Sequence, residues 1–166
     1  KGSIKEIVNS RLPWLVGGLG GAACAAVVVV AFEEQLAQAA ILASFIPIVM
    51  AMAGNAGIQA STITVQGLAS GRIWSGNWLL QLAKELAGAL INGGITALLL
   101  CLLVLLFSLL TPIKHLAQLT LTAGVSLTLI TLLAVAVGVL SPILLTKLKL
   151  DPAVGSGVFI TTANDI

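Results

Sequence analysis

Long apolar segments recur along the whole chain, and they constrain its fold more than any other feature. Of the 166 residues, 58% are hydrophobic and only 8% are charged. A soluble domain carries about 25% charged residues. A helix of about 20 residues, rising 1.5 Å per residue, spans a hydrocarbon core about 30 Å thick. The sequence therefore predicts an all-α, polytopic membrane protein.

Polar turns divide the chain into five apolar segments, which predict a bundle of five transmembrane helices. Pro13 suits a first helical turn, so residues 1–12 are expected to form a cytoplasmic lead-in and residues 13–166 the transmembrane pore domain. The fifth segment is too short to cross a bilayer, so we expect its helix to be truncated in this chain. The predicted helices are 13–32, 36–70, 78–110, 116–145 and 153–166.

Proline and glycine mark special positions within these segments. Pro47 and the run Gly54-Asn55-Ala56-Gly57 are expected to interrupt the second helix and to expose backbone carbonyls toward a cavity, as in discontinuous transporter helices. Two GxxxG pairs predict close helix contacts. These pairs are Gly17 with Gly21, and Gly67 with Gly71.

The basic residues alternate between the two sides of this arrangement. Only Lys114 falls on the side opposite the N-terminus, where Glu33 and Glu34 also lie. The other seven of the eight basic residues fall on the N-terminal side: Lys1, Lys5, Arg11, Arg72, Lys84, Lys147 and Lys149. The positive-inside rule therefore predicts a cytoplasmic N-terminus in the cell (inner) membrane. Glu33 and Glu34 are then expected at the outer mouth, where they would collect cations.

Asp165 is the one carboxylate in the apolar segment that closes the sequence. If that segment is a membrane helix, Asp165 lies about 15–21 Å inside it. A carboxylate at that depth costs several kcal/mol unless it faces water, a partner or a cation. No lysine or arginine is placed to neutralise it by sequence position, which leaves protonation or a mobile cation.

Two of the helices carry a line of polar residues along one face. The second helix has residues at spacings of 4, 3 and 4, namely Asn55, Gln59, Thr62 and Gln66. The third has spacings of 4, 3, 4 and 4, namely Gln81, Glu85, Gly88, Asn92 and Thr96. Such spacings place each set on one helical face. Interhelical hydrogen bonds would explain single polar residues, but a wetted pathway better explains the line on the second helix.

The candidate ligands are all oxygen atoms, which suit hard cations such as Mg²⁺ or Ca²⁺. Thr161 lies one turn before Asp165, and Asp151 lies nearly four turns before it, on a similar side. Asn55 and backbone carbonyls complete the set. One carboxylate is weak for a divalent ion, whereas two from a symmetric homodimer would be adequate. Because Mg²⁺ loses its water reluctantly, we expect a hydrated or partly hydrated ion.

Three stretches resemble the MgtE family of magnesium channels, in order and over nearly the whole chain. Pro47 followed by Gly54-Asn55-Ala56-Gly57-Ile58-Gln59-Ala60 is similar to the family's second-helix pattern, although Ala53 replaces its usual first glycine. The stretch Arg11-Leu12-Pro13-Trp14-Leu15 is also similar. The third stretch is Asp151-Pro152-Ala153-Val154, then Ser156-Gly157, Thr161-Thr162 and Asp165.

The resemblance implies a homodimer of five-helix membrane domains with a pore between the protomers. Asp165 would be the central ion-binding carboxylate, and Thr161 would offer a backbone carbonyl one turn earlier. Asp151 would lie at the cytoplasmic mouth, and Asn55 would line the pore with Gly54, Gly57, Gln59, Thr62 and Gln66. The resemblance also implies cytoplasmic regulatory domains, which this chain does not contain.

Other functions fit the sequence to different degrees. A proton-coupled secondary transporter of divalent metal would use the same buried acid, so sequence does not separate it from a channel. A non-conducting assembly subunit would carry isolated polar residues rather than lines of them. No enzyme is expected, because the single histidine, His115, is at a helix end, and Cys24 and Cys101 lie in different apolar segments as small packing residues.

Overall fold

The chain forms five α-helices over the residues that the computed structural model describes, which are 3–34, 44–73, 77–113 and 115–165. The helices are α1 (Ile4–Ala31), α2 (Ile46–Ala69), α3 (Trp78–Leu110), α4 (Leu116–Lys147) and α5 (Pro152–Asp165). The first four are long and apolar enough to cross a membrane. The prediction of an all-helical integral membrane protein with five helices is confirmed.

Helix α4 is the centre of the bundle. α2, α3 and α5 all pack against it, and α5 also contacts α1 and α2. Half of the most apolar stretch of α4 is buried inside the protein, compared with 11% for α1. α1 is therefore a peripheral helix that reaches the bundle through α5.

Small residues allow α2 and α4 to approach at backbone distance. A Cβ atom on Gly138 would collide with the carbonyl oxygen of Gly57, and a Cβ on Gly57 would lie 2.9 Å from the carbonyl oxygen of Ala134. In a bilayer, lipid is as apolar as leucine, so close van der Waals packing of this kind drives helix association. Larger side chains are fully buried elsewhere in the bundle, including Val104, Leu127 and Val139.

Helix α1 contacts α5 through glycines and one aromatic pair. Gly18 faces Val158, and Gly21 faces Thr162. The Trp14 and Phe159 ring centroids lie 6.2 Å apart in an edge-to-face arrangement. The predicted close contact is therefore confirmed at Gly21.

The other glycines of the two GxxxG pairs play different parts. Gly17 has open space around it, and Gly67 packs against Ile73 of the following turn. Gly71 lies in that turn with a φ of 70°, in the left-handed region that glycine tolerates. The prediction that Gly67 and Gly71 form a helix contact is therefore wrong, because the pair ends a helix rather than packing one.

Residues 4–12, expected to form a cytoplasmic lead-in, are helical and form the first turns of α1, so the helix begins earlier than the predicted residue 13. A capping box starts the helix there. The Ser3 backbone N–H donates to Glu6 Oε2 at 2.8 Å, and the Glu6 N–H donates to Ser3 Oγ at 3.3 Å. These two bonds satisfy amide groups that have no partner within the helix. Pro13 lies inside α1, not in its first turn.

Residues 44–45 form a turn and α2 begins at Ile46, so the predicted segment 36–70 is interrupted beside Pro47 as expected. The interruption expected at residues 54–57 is wrong, because α2 is continuous there. Pro47 lies in the first turn of α2, where its missing N–H costs nothing, and 54–57 are helical. The glycines serve close packing against other helices instead of breaking this one. The part of the predicted segment over residues 36–43 lies outside the described residues.

Candidate functional site

The polar line on α2 lies on the outside of the bundle. All four of its residues are exposed: Asn55, Gln59, Thr62 and Gln66. The opposite face of α2 is buried against α4 and α5, with Ala53, Gly57 and Thr64 among its residues. Packing of α2 in this orientation presents a row of amides and a hydroxyl outward along a membrane helix.

The polar lines of α2 and α3 meet in one cleft. Asn55 and Gln59 face Glu85 and Asn92 across a cavity of about 440 Å³ whose lining includes Thr131 of α4. Glu85, one of the lining residues, accepts a hydrogen bond at its Oε1 from Gln81 Nε2 at 2.9 Å. The hydroxyl of Thr96, also in the lining, donates to the Asn92 carbonyl at 2.9 Å. Sequence spacing predicted the two lines but not their convergence, which depends on how the helices pack.

The C-terminal part of the polar line on α2 meets α5 in a second cleft of about 400 Å³. Thr62 and Gln66 line it together with Ser156 and Gly157 of α5. One turn further along α5, Thr161 is exposed, and its hydroxyl donates to the carbonyls of Gly157 and Val158 at 3.1 and 3.2 Å. The exposed polar surface therefore continues from α2 onto α5.

Asp165 is half-buried at the last residue of α5. Its neighbour Asn164 ties this end of the helix to α2, since Asn164 Nδ2 donates to the Met50 carbonyl at 2.9 Å. The Oδ1 atom of Asn164 is buried without a hydrogen-bond partner among the described residues. Sequence reasoning missed Asn164, although an amide beside an acid in an apolar helix was a usable signal.

The two glycines expected to line a pore lie on the packing side of α2. A Cβ on Gly54 would be 3.7 Å from Asn164 Nδ2, and one on Gly57 would be 2.7 Å from a methyl carbon of Ile160. They allow α5 to approach α2 closely. Gly54 thereby helps to position the segment that carries Asp165.

The remaining candidate acids lie at helix ends. Asp151 is exposed, and its Oδ1 accepts from the Ala153 N–H at 2.8 Å, which caps the start of α5. Glu33 and Glu34 are exposed just beyond α1. Over the described part of the chain, no three His, Cys, Asp or Glu side chains come together as a metal-binding group. The described residues of one copy therefore offer single or paired carboxylates beside neutral oxygens.

Comparison with known proteins identifies the family. The profile of the MgtE family, described as a divalent cation transporter, matches residues 46–166. The chain is 32% identical over 161 residues to the magnesium transporter MgtE of Enterococcus faecalis, covering 97% of this chain and 34% of that protein. It is 31% identical over 156 residues to the magnesium transporter MgtE of Bacillus subtilis, covering 94% and 33%.

The chain thus spans about a third of the length of these curated relatives. The family is one of ion transporters rather than enzymes, in agreement with the expectation from sequence. The matched region contains α2 through α5, and with them both clefts and Asp165. The chain belongs to the MgtE family of divalent cation transporters.

Proposed function

We propose that this chain forms the membrane part of a Mg²⁺ pathway built between two copies, with Asp165 as its central ion-binding carboxylate. The observation that carries the proposal is the exposed polar face of α2, formed by Asn55, Gln59, Thr62 and Gln66. The names of the relatives, both magnesium transporters, support Mg²⁺ as the transported ion.

Lipid offers no hydrogen bonds to amide groups, so a row of amides on a membrane helix needs water or another protein surface against it. A second copy related by a two-fold axis would place the two α2 faces opposite each other. The space between them would then be lined by amide and hydroxyl groups from both copies. These groups would bind the water shell of a hydrated Mg²⁺ ion.

The two-fold arrangement would also supply enough negative charge to balance a divalent ion. One half-buried Asp165 is a weak ligand for a divalent cation, but two such acids beside one pathway would balance the charge. The exposed Thr161, one turn earlier on α5, would add its backbone carbonyl. In this proposal Gly54 and Gly57 contribute by holding α5 and α4 close to the pore-lining α2.

The remaining assignments follow from the positive-inside rule. The N-terminus would be cytoplasmic in a cell membrane, and Asp151 would lie at the inner mouth of the pathway. Glu33 and Glu34 would attract cations to the outer mouth. Regulatory domains in the cytoplasm would be partners of this membrane part in the whole protein.

Water access to α2 tests the proposal directly. With Cys24 and Cys101 replaced by alanine, single cysteines would be introduced at Gln59 and Gln66, and at Leu98 as the control. Leu98 is 71% exposed on the apolar surface of α3. A membrane-impermeant thiosulfonate reacts with thiolates, which form in water and not in lipid.

We expect labelling of Gln59→Cys and Gln66→Cys in proteoliposomes, slowed by Mg²⁺, and no labelling of Leu98→Cys. Labelling of the α2 positions should also block Mg²⁺ uptake. If the α2 cysteines are as unreactive as the one at Leu98, the polar face is not wetted, and the proposed pathway is wrong.

A further inference from the structure

A groove lies on the bundle apart from the two clefts of the proposed pathway. It has a volume of about 340 Å³ and lies between the start of α3, the last turns of α4 and the middle of α5. Its walls are mostly apolar, from Val137, Leu140, Ile143, Leu144 and Phe159. Three other residues also line it, and they contribute an indole ring, a hydroxyl and an ammonium group: Trp78, Ser141 and Lys147.

The mouth of the groove is basic and aromatic. Lys147 lies in the last turn of α4, and its Nζ is 5.6 Å from the ring centroid of Trp78, the first residue of α3. Lys147 is exposed, and none of the described carboxylates lies within ion-pair distance of it. Lysine and tryptophan together are typical of the level of the lipid headgroups. The ammonium group is therefore available to an anion at the membrane surface.

Ser141 also lines the groove, and its hydroxyl has no hydrogen-bond partner among the described residues. Ser141 is only 5% exposed, and its Oγ is buried without a partner in the part of the chain that the structure describes. Nearby hydroxyls are satisfied within their own helices: Thr146 donates to the Pro142 carbonyl at 2.8 Å. A buried hydroxyl without a bond is costly, so an unpartnered one in the wall of a groove indicates a missing acceptor.

The spacing of these groups matches one kind of ligand. Ser141 precedes Lys147 by six residues, which is about 9 Å along the helix axis. The headgroup region on each side of the hydrocarbon core is roughly 5–7 Å deep. A ligand that binds both residues thus carries a negative charge at the membrane surface. It also carries a hydrogen-bond acceptor near the boundary between the headgroups and the hydrocarbon core. Below the acceptor it needs an apolar chain to lie beside Leu140 and Phe159.

We propose that this groove binds an anionic phospholipid. Its phosphate lies against the ammonium group of Lys147 beside the Trp78 ring, and an acyl chain lies along the apolar wall. The Ser141 hydroxyl, which is buried in this structure, turns toward the lipid on binding and donates to an ester carbonyl oxygen. The unpaired positive charge selects an anionic lipid over a zwitterionic one. The site is independent of the ion pathway proposed above, since it shares no residue with either cleft.

Lipid retention by the whole protein tests this proposal. The protein would be purified in detergent, equilibrated with equal amounts of phosphatidylglycerol and phosphatidylcholine, and analysed by native mass spectrometry. The variants would be Lys147→Gln, Ser141→Ala and the matched control Lys149→Gln. Lys149 carries the same charge two residues further on but does not line the groove. Glycerol phosphate, which has no acyl chain, would be added as a competitor.

We expect the wild type to retain phosphatidylglycerol in preference to phosphatidylcholine, and glycerol phosphate not to displace it. Lys147→Gln should weaken retention roughly fivefold, which corresponds to about 1 kcal/mol for one basic residue near the surface. Ser141→Ala should weaken it about threefold, and Lys149→Gln should leave it unchanged.

Three results would overturn the proposal. Equal retention of the two lipids would show that the groove does not select charge. Equal loss in Lys147→Gln and Lys149→Gln would show a diffuse attraction rather than a site. Efficient disulfide formation between two copies carrying Leu144→Cys in a background without Cys24 and Cys101 would show that a second chain covers the groove.

Discussion

Two neighbouring residues at the end of α5 have separate tasks. Asn164 points to α2 and binds the Met50 carbonyl, whereas Asp165 is half-buried and is the carboxylate of the proposed ion site. Because successive residues of a helix point about 100° apart, one can anchor the helix while the next faces elsewhere. We infer that Asn164 fixes the position of the acid without binding the ion.

Replacement of Asn164 by alanine should therefore loosen the end of α5. Loss of one hydrogen bond between helices is expected to lower the free energy of unfolding by about 1 kcal/mol. Thermal unfolding in detergent would measure the effect. The control is Asn92→Ala, the same change on the exposed side of α3. Equal unfolding temperatures for the two variants would contradict the anchoring role.

At the scale of the helices, the crossing of α2 and α4 is the contact most sensitive to side-chain size. Gly138 touches the Gly57 carbonyl, so neither helix can move closer and neither accepts a methyl group there. The polar face of α2 points outward because its opposite face, centred on this crossing, is fixed against α4. The crossing thereby sets the orientation of the proposed pathway.

Gly138→Ala should force α2 and α4 apart. Overpacking of this kind typically costs about 1–3 kcal/mol. Gly94→Ala on α3 is the matched control, since no atom lies within 4 Å of the Cβ position there. In a helix, glycine is less favourable than alanine by about 0.5–1 kcal/mol, so the control should be neutral or stabilising. An equal gain in unfolding temperature for both variants would refute the account of the crossing.

Local sequence signals predicted the helices better than their boundaries. α3 has the same bounds as the third predicted segment, because a polar turn precedes Trp78 and Thr111-Pro112 follows Leu110. The start of α1 differs from the expected residue 13 because Ser3 and Glu6 form a capping box upstream, which leaves Pro13 inside the helix. The interruption of α2 was predicted from glycines whose actual role depends on Ala134 and Ile160, which are distant in sequence.

The same limit applies to the candidate site. Residue spacing was sufficient to place Asn55, Gln59, Thr62 and Gln66 on one face, and the structure places all four on an exposed one. The cleft between α2 and α3, by contrast, depends on which helices pack together, and no local pattern contains that information. The role of Asn164 depends likewise on a carbonyl 114 positions away in the sequence.

For the molecule as a whole, the important contrast is between a well-packed centre and a polar outer face. α4 is surrounded by three helices, while α2 presents amides outward and α1 is mostly exposed. The described residues of one chain bring no group of carboxylates together. In the proposed account a second copy would complete the site for a divalent ion, and Asp165 is the residue on which that proposal rests.

The most direct test is Mg²⁺ uptake into proteoliposomes, followed with an internal dye for wild type, Asp165→Asn and the control Glu6→Gln. Glu6 lies exposed in the first turn of α1, so its variant removes one charge away from the pathway. A pH dye in the same vesicles separates a channel from proton-coupled exchange. The account predicts uptake in wild type and Glu6→Gln, and at least a roughly tenfold loss in Asp165→Asn, because the ion loses its charged ligand. Equal uptake in all three proteins would contradict the assignment of Asp165 as the central carboxylate.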